Sequence, residues 1–253
     1  MKFIDTHCHL DDSGFNSDLD SIIESSNLNQ IGIISSSITK STWQKGAEIA
    51  SKYENVFLSL GLDPSNFNDV SYAVDMIRNC KEDIVAIGEI GLDHYIVRDH
   101  GERELQEIAF MKLLGVASEL KLPVQIHSRS AGKATLDILY RSHDGEVQMH
   151  AFDGKSGYAR IASQDYGYYF SIPTSVVRSP QKQKLVKAVE IERLLVETDS
   201  PVLAAEKSTR NEPANLPIAV AEISKILRRN EEEVREIILE NTLRLYKKIN
   251  PVR

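Results

Sequence analysis

The chain is poor in cysteine, with only Cys8 and Cys80 among 253 residues. Two thiols, one of them lodged between two histidines, exclude a disulfide framework and point to a reducing cytoplasm. Long apolar runs are missing, so no segment qualifies as a membrane span, and no signal sequence precedes the first strand. Positive charge is in deficit: 30 Lys and Arg face 37 Asp and Glu, a formal net charge of −7. That weighs against a surface gripping duplex nucleic acid over many phosphates, although a nucleic acid held mainly through metal ions stays possible. No Gly-x-Gly-x-x-Gly follows the first strand, which counts against an open, doubly wound sheet. Low-complexity linkers are absent too, so residues 1–253 are expected to form one domain. A monomer is the expected state. At 42% hydrophobic and 26% charged residues, the composition supports a core that needs no staples.

What is present is alternation. Eight short β-like runs recur: Phe3–His9, Ile31–Ser36, Val56–Leu62, Ile84–Gly91, Val124–His127, Glu146–Ala151, Tyr168–Ile172 and Leu194–Thr198. Each is followed by a helical pattern, for example Leu105–Leu120 with an apolar stripe of Leu105, Ile108, Leu113, Val116 and Leu120. Strand–helix alternation implies parallel strands with right-handed crossovers. Eight repeats in this length predict an α/β fold, a (β/α)8 TIM barrel. Two extra C-terminal helices are expected over Leu216–Arg228 and Glu231–Ile249, the second opened by Asn230 and Glu233 as a capping box.

In such a barrel the chemistry sits where strands end. There the sequence places His7 and His9, Glu89, His127, His150 and Asp199. His7 and His9 alternate on one face of a strand, as adjacent metal ligands would. The remaining histidines, His94, His100 and His143, fall in loops or helix ends and read as solvated or capping groups. Counting back two residues from the ligands gives Asp5, Gln125, Gln148 and Glu197, expected inside the barrel as hydrogen-bonded supports of the ligands. Ile4, Ile126, Met149 and Val196 would then face the helices. Four histidines and two carboxylates exceed one tetrahedral ion and fit two divalent ions. Glu89 is the expected bridge, with His7, His9 and Asp199 on one ion and His127 and His150 on the other. Such a pair clamps attacking and leaving oxygens and lowers the pKa of water. Asp199 and Glu89 are thus the candidate catalytic carboxylates, Asp199 as proton acceptor. Histidine and carboxylate ligation suits zinc, magnesium, manganese, nickel or iron.

Several stretches carry a resemblance: Asp5-Thr6-His7-Cys8-His9-Leu10, Gly88-Glu89-Ile90-Gly91-Leu92-Asp93, Ile126-His127-Ser128-Arg129, His150-Ala151-Phe152-Asp153-Gly154, Glu197-Thr198-Asp199-Ser200-Pro201 and Arg210-Asn211-Glu212-Pro213. In these the chain resembles the TatD family of metal-dependent hydrolases, within the amidohydrolase-like barrels, from Asp5 to about Tyr246. The resemblance implies metal-dependent deoxyribonuclease activity, typically exonucleolytic, and the same six ligands His7, His9, Glu89, His127, His150 and Asp199. The chain departs from the family in three places. Gly61-Leu62-Asp63-Pro64 stands where the family has Gly-x-His-Pro, His94 stands where an aromatic follows Gly-Leu-Asp, and Asp153 replaces a Ser or Thr. Asp63 would face the site as an acid and repel a phosphate.

Substrate contacts are expected from Arg129 on an anionic oxygen, from Asp63 and Asp93, and from Lys155, with Arg178 and Lys182 completing a local phosphate patch. Trp43 and Tyr168-Tyr169-Phe170 read as barrel packing rather than base platforms. Two enzyme readings follow: a nuclease or phosphodiesterase acting on DNA or a small phosphoester, and an amide, lactone or ester hydrolase using the same site on a carbonyl. A binding module with an idle metal site is the non-enzymatic reading, disfavoured because every expected ligand is present.

Overall fold

The computed structural model describes residues 1–250. The eight strands are β1 (Phe3–Cys8), β2 (Ile31–Ser37), β3 (Val56–Leu60), β4 (Ile84–Gly91), β5 (Val124–His127), β6 (Val147–Met149), β7 (Tyr169–Pro173) and β8 (Leu194–Glu197). They pair in parallel in chain order from β1 to β8. The helices are α1 (Leu19–Leu28), α2 (Trp43–Lys52), α3 (Val70–Asn79), α4 (His100–Leu120), α5 (Gly132–Ser142), α6 (Ser156–Asp165), α7 (Pro180–Ala188), α8 (Pro217–Leu227) and α9 (Glu231–Leu245). This is the (β/α)8 barrel that the alternation implies. Of the two C-terminal helices, α8 completes the eighth strand–helix unit and only α9 is additional. Helix α9 stops at Leu245 because Tyr246 leaves the helical path and buries its ring beside Ile4, Tyr169 and Leu195 in the barrel floor. Asn230 caps α9 by accepting from the amides of Glu232 and Glu233, while the Glu233 carboxylate pairs with Arg229 instead of closing the box.

Two faces of the barrel explain most of the burial. Outward strand residues such as Ile33, Leu58, Ile126, Met149 and Val196 pack under the helices, as alternation requires. Helix α4 departs from its expected stripe. Leu105 and Ile108 are 50% and 57% exposed, and the buried face carries Gln106, Ala109, Phe110, Leu113 and Leu114. The helix is turned because Gln106 is buried to donate to the Pro64 carbonyl and accept from the Asp93 amide. Trp43 and residues 168–170 are buried packing groups, and Trp43 donates to the Gly61 carbonyl.

Strand parity fails in β1. Its register against β2 advances three residues between Asp5 and Cys8 while β2 advances two, between Ile33 and Ser35, which is a bulge. Ile4 therefore packs in the floor and not under the helices. The Thr6 hydroxyl and the His7 ring both join the interior network, accepting from Gln148 and bonding Gln125. A second bulge lies in β4, between Gly88 and Ile90, so Glu89 is the extra residue. Bulges re-aim side chains beside active sites, and the β4 bulge here carries Glu89, which lines the cavity at the barrel mouth.

The seam between β1 and β8 is closed by a side chain. Asp5 accepts from the Thr198 amide at 2.8 Å, the Thr198 hydroxyl at 2.5 Å and the His7 amide at 3.3 Å. The Asp199 and His9 amides add bonds to the His7 and Ser200 carbonyls, both at 2.9 Å. Asp5 thus supports the ligand-bearing backbones and touches no ligand ring. Asp5→Ala should strand these buried donors and lower unfolding free energy by about 2–4 kcal/mol, with a smaller loss for Asp5→Asn, both read by urea denaturation.

Candidate metal centre

The structure brings all six predicted ligands to the C-terminal mouth of the barrel. His7 lies in β1 and His127 ends β5, while His9, His150 and Asp199 stand one or two residues past the strands they follow. Asp199 adopts a left-handed backbone, φ 54°, uncommon for a side chain other than glycine or asparagine. From that turn its carboxylate faces the rings of His7, His9 and His150.

Glu89 lies between two pairs of imidazoles. Its Oε2 is 3.4 Å from His7 Nε2 and 3.5 Å from His9 Nε2. Its Oε1 contacts His127 Nδ1 and lies 3.8 Å from His150 Nε2. Asp199 Oδ1 is 3.8 Å from His7 Nε2, 3.6 Å from His9 Nε2 and 3.9 Å from His150 Nε2. Three trios present ligand atoms all within 4.8 Å of one another: His7–His9–Glu89, His7–His150–Asp199 and Glu89–His127–His150. The second shows that Asp199 faces His150 as well as His7, so the partition is less strict than strand order suggests.

The other nitrogen of each ring decides what the ring can do. His7 Nδ1 bonds Gln125 Oε1 at 3.2 Å, His9 Nδ1 the Ser36 carbonyl at 2.8 Å, and His150 Nδ1 Glu197 Oε2 at 2.9 Å. His127 is turned round, with Nε2 on Asp93 Oδ2 at 2.9 Å. In every case an oxygen accepts from the outer N–H and the inner nitrogen is turned toward the shared space. That is the arrangement by which outer groups fix the tautomer of metal-ligating histidines, so these residues fit divalent ions.

Gln125, Gln148 and Glu197 are all fully buried supports. Gln148 donates to the Ser171 hydroxyl and the Thr6 hydroxyl and accepts from Tyr246; Glu197 also accepts from the Ala151 amide and the Ser171 hydroxyl. Ser36, Ser171, Thr198 and Tyr246 belong to this network and escaped the sequence reading. Ser36 and Ser171 share the inward alternation of their strands, a signal that was available; Tyr246 sits on no strand and offered none.

The expected substrate contacts divide. A cavity of about 910 Å3 opens above the centre, lined among others by Asp12, Asp63, Ile96, Arg129, Arg178, Lys182 and Val202. Arg129 is exposed at its rim. Lys182 is buried, its ammonium donating to the Ala151 and Phe152 carbonyls, and burial lowers its pKa to about 8. Lys155 stands exposed at the start of α6, away from that lining, because the loop holding it turns outward after Gly154. Asp93 has both oxygens engaged, on His127 and on the Tyr95 and Ile96 amides, so it supports a ligand ring. Asp63 does line the cavity, and its Oδ1 also caps a short turn by accepting from the Ser65 amide and hydroxyl. Asp153 accepts from the Ser130 amide. Of the other histidines, His100 is exposed beside Glu104, His143 caps the end of α5 and is buried against Ser118, and His94 is half-buried rather than solvated.

The model of the TatD related DNase family matches residues 4–247. The chain belongs to the TatD family. A putative deoxyribonuclease TATDN3 of Mus musculus is 36% identical, covering 98% of this chain and 90% of that protein. Deoxyribonuclease TATDN3 of Homo sapiens is 35% identical over 98% and 96%. An uncharacterized metal-dependent hydrolase of Methanocaldococcus jannaschii is 33% identical over 98% of each chain. Among solved structures, a TatD homologue from Escherichia coli superposes with a TM-score of 0.88 at 24% identity, covering 98% of this chain and 99% of that one, which supports the barrel. As a TatD protein the chain is a metal-dependent hydrolase.

Charges in the centre follow from its carboxylates. Burial favours the neutral forms of His9 and His127, but Asp199 and Glu89 beside His9, and Glu89 and Asp93 beside His127, raise both to about 10. Burial likewise opposes ionisation of Glu89, yet His127 and His150 hold its carboxyl well below the usual range. Without ions, His9 and His127 therefore carry protons at neutral pH. An ion can use those nitrogens only by displacing them. Loading metal-stripped protein at pH 7 should release about two protons, measured by calorimetry in buffers of different ionisation enthalpy, and affinity should rise with pH up to about 10.

Proposed function

We propose that this TatD protein is one domain that uses two divalent ions to hydrolyse phosphodiester bonds of DNA. The observation carrying this reading is the Glu89 carboxylate, with one oxygen toward His7 and His9 and the other toward His127 and His150. The TATDN3 relatives, named as deoxyribonucleases, support DNA as substrate. Two bound ions would supply Lewis acidity to the phosphoryl group and to the attacking water.

The chain's own groups do the rest. His7, His9 and Asp199 would hold one ion and His127 and His150 the other, with Glu89 placed between the two groups. Asp199 accepts the proton of the attacking water. Burial disfavours its charge, but His150, His9 and His7 keep its pKa below the ordinary value, so it is ionised and ready to accept. Arg129 and Arg178 line the cavity and offer charge-assisted bonds to the non-bridging oxygens. The buried Lys182 braces the Ala151 and Phe152 carbonyls and thereby the loop that follows His150.

The test is cleavage of single-stranded DNA with Mg, Mn, Zn, Ni or Fe, run beside a panel of lactones, amides and simple esters. Asp199→Asn should lower kcat on DNA by about 10²–10⁴-fold. Glu89→Gln should lose both ions by elemental analysis, whereas His127→Ala should lose one. Undiminished DNA cleavage by a Glu89→Ala/Asp199→Ala double variant overturns the metal mechanism, and activity confined to the carbonyl panel overturns the substrate. A further outcome concerns Asp63. Asn keeps the cap on the Ser65 amide and removes the charge. Asp63→Asn should raise kcat/KM for DNA by about threefold to tenfold at low salt, the gain shrinking as salt screens it.

A further inference from the structure

We propose that Tyr95, Arg98 and Arg129 form a platform that binds single-stranded nucleic acid on the chain beyond its reacting phosphate. This rests on the phosphodiesterase reading and extends it from a bond to a strand. The Arg129 guanidinium lies 3.9 Å from the centre of the Tyr95 ring, and that of Arg98 lies 5.8 Å from it. The ring is 49% exposed and neighbouring Ile96 is 55% exposed. Two guanidinium groups about one aromatic ring offer what a single strand presents, phosphates at intervals and flat bases between them.

Place and rigidity separate this cluster from an ordinary surface pair. Arg129 and Ile96 line the cavity over the centre, so the cluster sits where a chain would leave the pocket. Asp93 fixes its position: one oxygen accepts from the Tyr95 and Ile96 amides at 2.9 and 2.8 Å, and the other holds His127. The His94 amide donates to the Arg129 carbonyl at 3.0 Å, tying the two loops, and Arg98 Nε donates to the Tyr95 carbonyl at 3.3 Å. Arg103 adds bonds to the Val97 and His94 carbonyls. One carboxylate thus sets both a ligand histidine and the platform, so a strand seated on Tyr95 is registered against the ions. A net charge of −7 makes such a local cationic patch necessary for an anionic polymer to approach.

The experiment is fluorescence anisotropy of a labelled single-stranded oligodeoxynucleotide of about twelve nucleotides with the whole protein in chelator, where no cleavage occurs. Tyr95→Leu and Arg98→Gln should each raise Kd at least about fivefold. Arg98→Gln should reduce the slope of log Kd against log salt by about 0.7. Tyr95→Phe, which keeps the ring, should bind like the parent. Unchanged Kd in both Tyr95→Leu and Arg98→Gln, or no binding by the parent protein, overturns the platform. The phosphodiesterase reading fails separately: a protein that binds the strand through these residues but cleaves no DNA when metal is restored keeps the platform and loses the reaction. If cleavage occurs and the variants bind like the parent, the reaction stands and the platform falls.

Discussion

The sharing of one buried carboxylate between two histidine pairs is the constraint on which the centre depends. Glu89 is buried, ionised and approached by four imidazoles. The β4 bulge supplies the extra residue that puts it there. Around it every ring is pinned through its outer nitrogen, so the inner nitrogens converge before any ion arrives. The expense of that preorganisation lies in the interior. Asp5, Gln125, Gln148 and Glu197 are all buried, and burial pushes Asp5 up to about 8. Their hydrogen bonds to Thr6, Ser36, Ser171, Thr198 and Tyr246 offset the desolvation of so many polar groups.

The fold was legible because its signal is periodic. Eight apolar runs separated by helical patterns lead to the barrel, and the six candidate ligands stand out because they fall at strand ends. Alternation also located Gln125, Gln148 and Glu197 correctly, since β5, β6 and β8 are regular. It misplaced Ile4 and Asp5 because a bulge inserts one residue and reverses the parity beyond it. The α4 stripe misled for a different reason. Gln106 is polar in sequence and buried in fact, since two backbone groups need it. Contacts with substrate were hardest to read, because loops set them. Lys155 and Asp93 carry the right chemistry, yet one turns outward and the other serves His127.

Charge is distributed unevenly around the mouth. Asp12 and Asp63 line the cavity together with Arg129, Arg178 and Lys182. A polyanion is therefore met by attraction and repulsion in the same cavity, and its orientation is constrained by both. The family resemblance implies the candidate metal ligands but not this balance, which belongs to the residues of this chain.

The seam between the first and last strands also orders events in time. His7 and His9 lie on or just past the first strand, whereas Asp199 and Tyr246 follow the last. Asp5 reaches Thr198 across a sequence separation of 193 residues, and Gln125 reaches Tyr246 across 121. Contacts so distant in sequence form late in folding, after the intervening loop entropy has been overcome. A nascent or truncated chain therefore exposes a histidine pair without its closing carboxylate. The two halves of the candidate site thus come together only as the barrel closes.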